Sequence, residues 1–367
     1  MDTLSNRILD LAIRIQQVPA PTFHEHERAA FVRARFLEEG LDVETDATGN
    51  VYARLPSTAG ARPLVVSAHL DTVFPIETDL SISREADRIT GPGIGDNALG
   101  VAGLFGLLWS LREREVHLPG DLYLVANVGE EGLGNLHGMK AIVERFGADA
   151  LAYLAIEGMA LGQVYHRGLG VRRYRICLRT SGGHSWHDHG SPSAVHELAA
   201  LVTRLTALPL PSRPRTTLNV GRIAGGTSVN TIAAEAWLEI DLRSESVEAL
   251  SALTHQVEIL AEEIGRPGVK VEIEEIGSRP AGEIPASHPL VRLAQHCLSA
   301  QGIPPRLAIG STDINLPLSR GLPAICLGLT RGGGAHTEHE YILSSPLQQG
   351  MEQLVMFVSR VWQVTPP

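Results

Sequence analysis

Three short apolar segments of this chain end in residues that can bind a metal ion or transfer a proton. The residues at these ends are His69 with Asp71, Glu130 with Glu131, and Glu157. Short continuous apolar runs are typical of buried strands in a parallel sheet. Open α/β sheets bind their ligands at the carboxyl ends of such strands. We therefore expect these side chains to lie close together and to form a site.

His69 and Asp71 are spaced as a metal-binding histidine and its partner are. One ring nitrogen can bind the metal while the carboxylate accepts the other ring N–H, which fixes the tautomer. A buried histidine beside a surface aspartate produces the same pattern. The two residues alone therefore do not establish a site, and the acidic residues further along the chain decide the question.

Two glycine-rich segments add ligands to this set. The segment G91-P-G-I-G-D96 brings Asp96 to the start of an apolar helix, and G332-G-G-A-H336 ends in a second histidine. Two histidines with several carboxylates suit zinc, or cobalt or manganese in its place, and the lack of cysteine argues against a structural zinc site. Five ligands suit two ions that share one bridging carboxylate. One glutamate of the Glu130–Glu131 pair is then left to act as the general base.

Composition limits the classes of protein that this chain can represent. Its 367 residues suggest two domains, or one large domain with an insertion, and the formal charge of −10 argues against nucleic acid or an anionic membrane as partner. Three scattered cysteines, Cys177, Cys297 and Cys326, indicate a reducing compartment. The most apolar segment, from Ala98 to Leu111, is too short to span a bilayer. We expect a soluble, cytoplasmic protein.

The pattern of predicted elements changes twice along the chain. Helices alternate with buried strands up to about Gly168, whereas the following segment has half-exposed, alternating strands in the order β-α-β-β-α-β. The first pattern returns after Pro280. We predict an α/β catalytic domain, residues 1–167 and 280–367, with a mostly parallel central sheet flanked by helices. The inserted domain, residues 168–279, is predicted to be a ferredoxin-like α+β sandwich.

The motifs together resemble those of a known enzyme family. The family is that of the di-zinc metallopeptidases, which include bacterial glutamate carboxypeptidase, peptidase T, aminoacylase and succinyl-diaminopimelate desuccinylase. The resemblance covers nearly the whole chain and is carried by H69-L-D71, the glycine-rich segment from Gly91 to Gly100, E130-E131-G132, Glu157 and His336. Each motif alone is weak, but the set in this order is highly specific.

The resemblance implies a role for each of these residues and a zinc-peptidase-like catalytic domain. His69, Asp96 and Glu157 would hold one zinc ion, and Asp96, Glu131 and His336 would hold the other. Glu130 would be the general base that deprotonates the attacking water, and Asp71 would orient His69. The resemblance further implies a cis peptide bond between Asp96 and Asn97.

The inserted domain resembles the lid and dimerisation domain of the family. His184, in S181-G-G-H184-S, holds the position of a histidine that reaches the active site of a neighbouring subunit. Asn230 and Arg243, with the expected separation, match residues that hold substrate, and we expect them to converge on a substrate carboxylate. The family usually has a proline a few residues after this histidine, whereas this chain continues H184-S-W-H187-D-H189-G-S-P192. We interpret His187 and His189 as loop residues and not as a third metal site.

We therefore predict a homodimeric di-zinc hydrolase that cleaves an amide bond in small peptides with a free carboxylate near that bond. An N-acyl-amino-acid deacylase would need the same ligands and stays an alternative. A catalytically inactive binding relative would be expected to lack Glu130 or a ligand, and all are present. A lidless aminopeptidase would lack the segment from Gly168 to Gly277.

Overall fold

The computed structural model describes residues 3–364 of the chain. Its helices are α1 Thr3–Gln16, α2 His26–Glu38, α3 Leu99–Glu113, α4 His137–Phe146, α5 Ala194–Thr206, α6 Val247–Glu262, α7 Pro289–Ala300, α8 Asn315–Ser319 and α9 Leu347–Val364. Its strands are β1 Asp42–Thr45, β2 Val51–Leu55, β3 Ala61–His69, β4 Ser83–Arg84, β5 Arg88–Thr90, β6 Gly120–Asn127, β7 Ala152–Glu157, β8 Gln163–Gly168, β9 Gly170–Arg179, β10 Gly183–His184, β11 Thr216–Gly225, β12 Thr231–Ile232, β13 Glu235–Ser244, β14 Lys270–Arg279, β15 Gly282–Glu283, β16 Arg306–Gly310, β17 Ala324–Gly328, β18 Gly332–Gly333 and β19 Tyr341–Leu343.

The described residues divide into two compact units. Unit 1 takes the chain up to Gly168 and from Gly282 onward, and unit 2 is Leu169–Ala281. The sequence predicts these boundaries after residues 167 and 279, one and two residues earlier than the structure has them. Each unit has its own cluster of buried apolar side chains.

The large sheet of unit 1 has four parallel strands at its centre. The strand order is β1-β2-β6-β3-β7-β17-β8-β15, in which β6, β3, β7 and β17 are parallel, and β16 pairs with β8. Antiparallel strands extend the sheet on both sides. Because β6, β3 and β7 are parallel neighbours, their carboxyl ends meet at one edge of the sheet. The predicted α/β fold with a mostly parallel centre is confirmed.

α3 is buried within unit 1. A Cβ atom on Gly106 would lie 2.5 Å from Ile8 Cδ1 of α1 and 2.9 Å from Met351 Cε of α9. Glycine therefore lets the three helices approach, although it costs about 1 kcal/mol in a helix interior. The helical segment Ile94–Glu113 has 20 residues and is long and apolar enough, by length and composition alone, to cross a membrane. Its backbone is not helical at Asp96 and Asn97, however, and α3 itself has 15 residues, fewer than the about 20 that a membrane span needs. The segment is a core helix, since 89% of its most apolar window is buried in the protein.

Unit 2 has the predicted ferredoxin-like topology. The helices and the strands of its four-stranded sheet follow the order β9-α5-β11-β13-α6-β14, and that antiparallel sheet has the strand order β11-β13-β9-β14. Alternate residues of β13 are buried, and they pack with apolar residues of α5 and α6. The alternation in the sequence thus predicts the buried face of this strand correctly.

Candidate active site

Neighbouring strands of the central sheet bring together the acidic residues and the first histidine. His69 is the last residue of β3, and Glu157 is the last residue of β7. Glu130 and Glu131 follow the end of β6, and β3 lies between β6 and β7 in the sheet. All of these residues therefore lie at the carboxyl edge of three adjacent parallel strands, as the sequence predicts.

A loop before α3 adds Asp96 to this edge. The peptide bond between Asp96 and Asn97 is cis, as the family resemblance implies. The Asn97 side chain donates to the carbonyl oxygen of Ile156 at 2.8 Å, and its own oxygen accepts the Gly158 N–H at 2.9 Å. Asn97 thereby ties the Asp96 loop to both sides of Glu157.

The carboxylate of Asp96 lies between the two predicted histidine ligands. Its Oδ1 is 3.1 Å from His69 Nε2, and its Oδ2 is 3.3 Å from His336 Nε2. His336 Nε2 is also 3.1 Å from Glu131 Oε1, and His69 Nε2 is 3.8 Å from Glu157 Oε2. Each oxygen of one carboxylate thus faces a different imidazole, and each imidazole faces a second carboxylate.

These separations fit ligands of divalent metal ions. Ligand atoms about 2.0–2.1 Å from a tetrahedral ion lie about 3.3 Å from one another, close to the 3.1–3.3 Å between Asp96 and the two histidines. Ligand atoms of His69, Asp96 and Glu131 all lie within 4.8 Å of one another. The nitrogen and carboxylate donors are those that zinc, cobalt and manganese accept. The residues present therefore fit two ions that share Asp96.

The charged groups of this cluster shift one another's proton affinity. Hydrogen bonds with Asp96 and Glu131 raise the pKa of His336 to about 10. Burial opposes a charge on His69, but its carboxylate neighbours still raise its pKa well above the usual value. Burial also raises the pKa of Glu157 to about 7. Without metal ions, protons on the imidazoles thus balance part of the negative charge, and metal binding must displace them.

Asp71 positions the loop that carries the two glutamates. Its Oδ1 and Oδ2 accept the backbone N–H groups of Glu130 and Glu131 at 2.9 and 2.8 Å, and Oδ2 also accepts the hydroxyl of Thr22 at 2.9 Å. The sequence predicts that this carboxylate accepts the ring N–H of His69. His69 Nδ1 is instead closer to the backbone oxygen of Asp71, at 3.1 Å, than to the carboxylate Oδ1, at 3.6 Å. The carboxylate instead receives the two backbone N–H groups.

Two buried charged residues near Asp71 are absent from the sequence prediction. Glu25 Oε1 accepts the N–H of Gly129 at 3.0 Å, so that Glu25 and Asp71 together hold three consecutive backbone N–H groups. Arg28 is 2% exposed and donates to the carbonyl oxygens of Val18 and Leu70. Burial lowers the pKa of Arg28 only to about 10, so it stays charged at neutral pH and balances the two carboxylates.

Glu340 is a third buried charge that the sequence prediction does not include. Its Oε1 accepts the N–H groups of Gly95 and Asp96 at 2.7 and 2.8 Å, and its carbonyl oxygen accepts the N–H of Gly91 at 2.8 Å. Its Oε2 is buried and has no hydrogen-bond partner within residues 3–364. Burial raises the pKa of Glu340 to about 7. Glu340 therefore fixes the backbone at Asp96 from a position four residues after His336.

Glu340→Ala is expected to weaken metal binding by about 10- to 100-fold, because groups that orient a ligand have effects of this size. Glu340→Gln should bind metal nearly as well, since the amide oxygen can still accept both N–H groups. Competition with a chelating dye measures the affinity of both variants, and thermal unfolding reports on the fold. A lower melting temperature of Glu340→Ala with unchanged metal affinity would limit Glu340 to a role in stability.

The substrate-binding residues predicted for the inserted domain lie at two ends of unit 2. His184 pairs with Thr231 between β10 and β12, and the N–H of Ser185 donates to the carbonyl oxygen of Asn230. His184 and Asn230 are therefore neighbours, and the ring of His184 lies 4.8 Å from that of His187. Arg243 lies near the far end of β13, opposite Val171.

The expectation that Asn230 and Arg243 converge on one carboxylate is wrong for a single chain. β10 and β12 lie beyond the end of the sheet where Arg179 pairs with Glu235. From Glu235, β13 extends about 26 Å to Arg243, at about 3.3 Å per residue. Arg243 also donates to Asp241 at 2.7 Å. Burial favours the neutral acid, but hydrogen bonds from Arg243 and Arg173 keep the pKa of Asp241 below its usual value.

Comparison with known proteins agrees with this site. Residues 65–360 match the family described as peptidase family M20/M25/M40. Succinyl-diaminopimelate desuccinylase of Corynebacterium glutamicum is 26% identical over 351 residues, which cover 93% of this chain and 92% of that protein. The crystal structure of aminopeptidase PepT from Bacillus cereus is similar with a TM-score of 0.78 and 24% identity, covering 97% of this chain and 98% of that one.

A further solved structure shares the fold over its whole length. It is the Bacillus subtilis YXEP protein, described as a dinuclear metal-binding peptidase of the M20 family, with a TM-score of 0.72, 16% identity and coverage of 98% and 99%. The resemblance stated from the sequence motifs is thus confirmed, because the family match spans most of the chain. The chain belongs to peptidase family M20/M25/M40 and is a metal-dependent hydrolase of peptides or acyl amino acids.

Proposed function

We propose that the protein hydrolyses an amide bond in small peptides at a site with two divalent metal ions, most simply zinc. The observation that carries this proposal is the position of Asp96, whose two oxygens face two different histidines at 3.1 and 3.3 Å. The description of the YXEP protein as dinuclear supports the same count. His69, Asp96 and Glu157 would hold one ion, and Asp96, Glu131 and His336 the other.

The metal ions would supply Lewis acidity towards a water molecule and towards the carbonyl oxygen of the substrate. Glu130 would accept the proton of the attacking water at its carboxylate and pass it to the leaving nitrogen as the C–N bond breaks. Its place supports this role, because Glu130 precedes the ligand Glu131 and its backbone is held by Asp71. A fixed base close to the reacting water needs little reorganisation during the reaction.

His184 would polarise the scissile carbonyl in the active site of a second subunit. The support for a homodimer is that unit 2 exposes large apolar side chains near this residue. Trp186 is 81% exposed, and Val229 is fully exposed. Ile223, on the edge strand β11, is 57% exposed. Exposed apolar groups and an unpaired strand edge are features of surfaces that associate. Dimerisation would also allow His184 and Asn230 of one chain to act with Arg243 of the other.

Mixing Glu130→Gln chains with His184→Ala chains is expected to restore part of the activity that each variant lacks. A mixed dimer would contain one site with both residues intact, provided that His184 acts across the subunit boundary. The measurement is the rate of hydrolysis after subunit exchange, which a dual affinity tag verifies. Absence of recovery after verified exchange would place His184 in its own subunit's site or outside catalysis.

Arg243 would hold a free carboxylate near the scissile bond. Its side chain is 40% exposed, and its Nη1 has no hydrogen-bond partner within residues 3–364, whereas Nε and Nη2 face Asp241. An exposed guanidinium edge suits a carboxylate. The second candidate reaction, deacylation of N-acyl amino acids, is favoured by the similarity to a desuccinylase over nearly the whole chain.

A substrate panel tests the proposed function. The zinc-loaded protein is incubated with dipeptides, tripeptides and N-acyl amino acids, each with its C-terminally amidated twin. Hydrolysis of peptides that depends on a free carboxylate is the expected result. Hydrolysis of only the N-acyl amino acids would favour deacylation, and equal hydrolysis of acids and amides would exclude Arg243 as a carboxylate anchor.

A further inference from the structure

A cavity of about 740 Å³ in unit 1 adjoins segments that carry the proposed metal ligands. Its walls are residues 159–163, residues 303, 304 and 306, and residues 331–335. Glu157 lies two residues before the first segment, and His336 directly follows the third. Two of the three walls are therefore continuous in sequence with ligands.

The strand directions place the cavity at the same edge of the sheet as the ligands. β17 is parallel to β7, and β8 is antiparallel to β17, so β8 begins where β7 and β17 end. β16 is parallel to β8 and begins at Arg306. The backbone N–H of Arg306 donates to Gly162 at 2.8 Å, which joins the second wall to the first. The cavity thus lies beside the carboxyl edge that holds Glu157.

The charge of the cavity is positive. Arg306 and Arg331 line it, both are exposed, and neither guanidinium forms a hydrogen bond or ion pair within residues 3–364. None of the lining residues that the structure describes is acidic. The three glycines after Arg331 carry no side chains that could cover the backbone there. Arginine binds carboxylates through parallel charge-assisted hydrogen bonds, so an anionic group is the ligand that suits these walls.

We propose that this cavity is a subsite for a substrate carboxylate that is remote from the scissile bond, and that Arg331 and Arg306 hold it. The carboxylate would belong to an acidic side chain or to a dicarboxylic acyl group. This inference rests on the proposed function and adds a preference for acidic substrates. It differs from the proposed role of Arg243, which belongs to unit 2 and would hold a carboxylate near the scissile bond.

The test compares acidic substrates with neutral twins of the same shape. Two pairs test a side-chain carboxylate, Glu-Ala with Gln-Ala and Ala-Glu with Ala-Gln. The third pair, N-succinyl-alanine with its succinamic counterpart, tests a carboxylate on the acyl group. Arg331→Ala and Arg306→Ala are each expected to lower kcat/KM for the acidic member of one pair by about 10- to 100-fold, the range for a hydrogen bond to a charged group. The neutral members should be hydrolysed at unchanged rates.

Arg320→Ala provides the matched control. Arg320 is an exposed arginine of the same unit, but it precedes β17 and so lies at the opposite edge of the sheet. Glutarate binding, measured by calorimetry on the zinc-loaded proteins, gives a readout that does not depend on turnover. It should weaken about 10-fold in the Arg306→Ala/Arg331→Ala double variant and not in Arg320→Ala.

Two results would overturn the inference and leave the proposed function intact. One is equal kcat/KM for both members of every pair, and the other is an acidic preference that survives the double variant. If no amide is hydrolysed at all, the proposed function is contradicted. Glutarate binding then decides the inference alone, which fails if the double variant binds glutarate as the unmodified protein does.

Discussion

Glu130→Gln is expected to lower kcat by about 10²- to 10⁴-fold while the protein keeps its metal ions. Glutamine has nearly the shape of glutamate but cannot take a proton from the attacking water. The backbone N–H of Glu130 would still donate to Asp71, since that bond does not involve the substituted side chain. The ligand residues would therefore stay in place, and only proton transfer would be lost. Steady-state kinetics and elemental analysis measure the two quantities.

The neighbouring glutamate supplies the control for this substitution. Glu131 Oε1 lies 3.1 Å from His336 Nε2, so Glu131→Gln should lower the metal content as well as the activity. The two variants differ by one position and remove the same charge. If Glu130→Gln loses metal and Glu131→Gln retains it, the roles of the two residues are exchanged.

Asp96→Ala is expected to remove both metal ions and to reduce hydrolysis to that of the metal-free protein. Asp96 is the only carboxylate among the five proposed ligands that faces both histidines within 3.3 Å. Without it, each proposed ion would keep one histidine and one glutamate, which is too few ligands for tight binding. Elemental analysis after dialysis measures the loss.

Glu157→Ala provides the comparison, because Glu157 faces only His69 and should contribute to one ion. This variant should retain about one ion per chain if the two sites are separate. Circular dichroism checks that both variants are folded. Two ions per chain in Asp96→Ala would exclude Asp96 as a bridging ligand.

The residues at the strand ends could be predicted because their local sequence is sufficient. The apolar runs before His69 and Glu157 identify buried strands, and the direction of parallel strands then brings their ends to one edge. The alternation in β13 likewise predicts its buried face. In each case, the periodicity of a single segment contains the information.

The buried charges could be predicted only in part. Arg28, Val32 and Phe36 are four residues apart and share the buried face of α2, so the helical period does place Arg28 in the interior. Glu340 has no such signal, because it follows the exposed residues Glu338 and His339 and its partners lie in a loop more than 240 residues earlier. Only the folded chain brings that loop to it.

The separation of Asn230 from Arg243 shows a different limit of sequence spacing. The separation of thirteen positions comes from the family resemblance and not from a distance. The intervening segment is mostly the extended strand β13, which carries Arg243 to the far end of the sheet. The family resemblance thus identifies the two residues, but it does not determine whether they meet within one chain.

The central claim is that hydrolysis depends on two metal ions at the site around Asp96. The most direct test is a titration of the metal-free protein with Co²⁺, in which visible absorbance reports ligand binding and peptide hydrolysis is followed in the same samples. The account predicts that absorbance saturates at two ions per chain, that activity appears with these ions, and that Asp96→Ala shows neither change. Saturation at one ion per chain, or full activity of the metal-free protein, would contradict it.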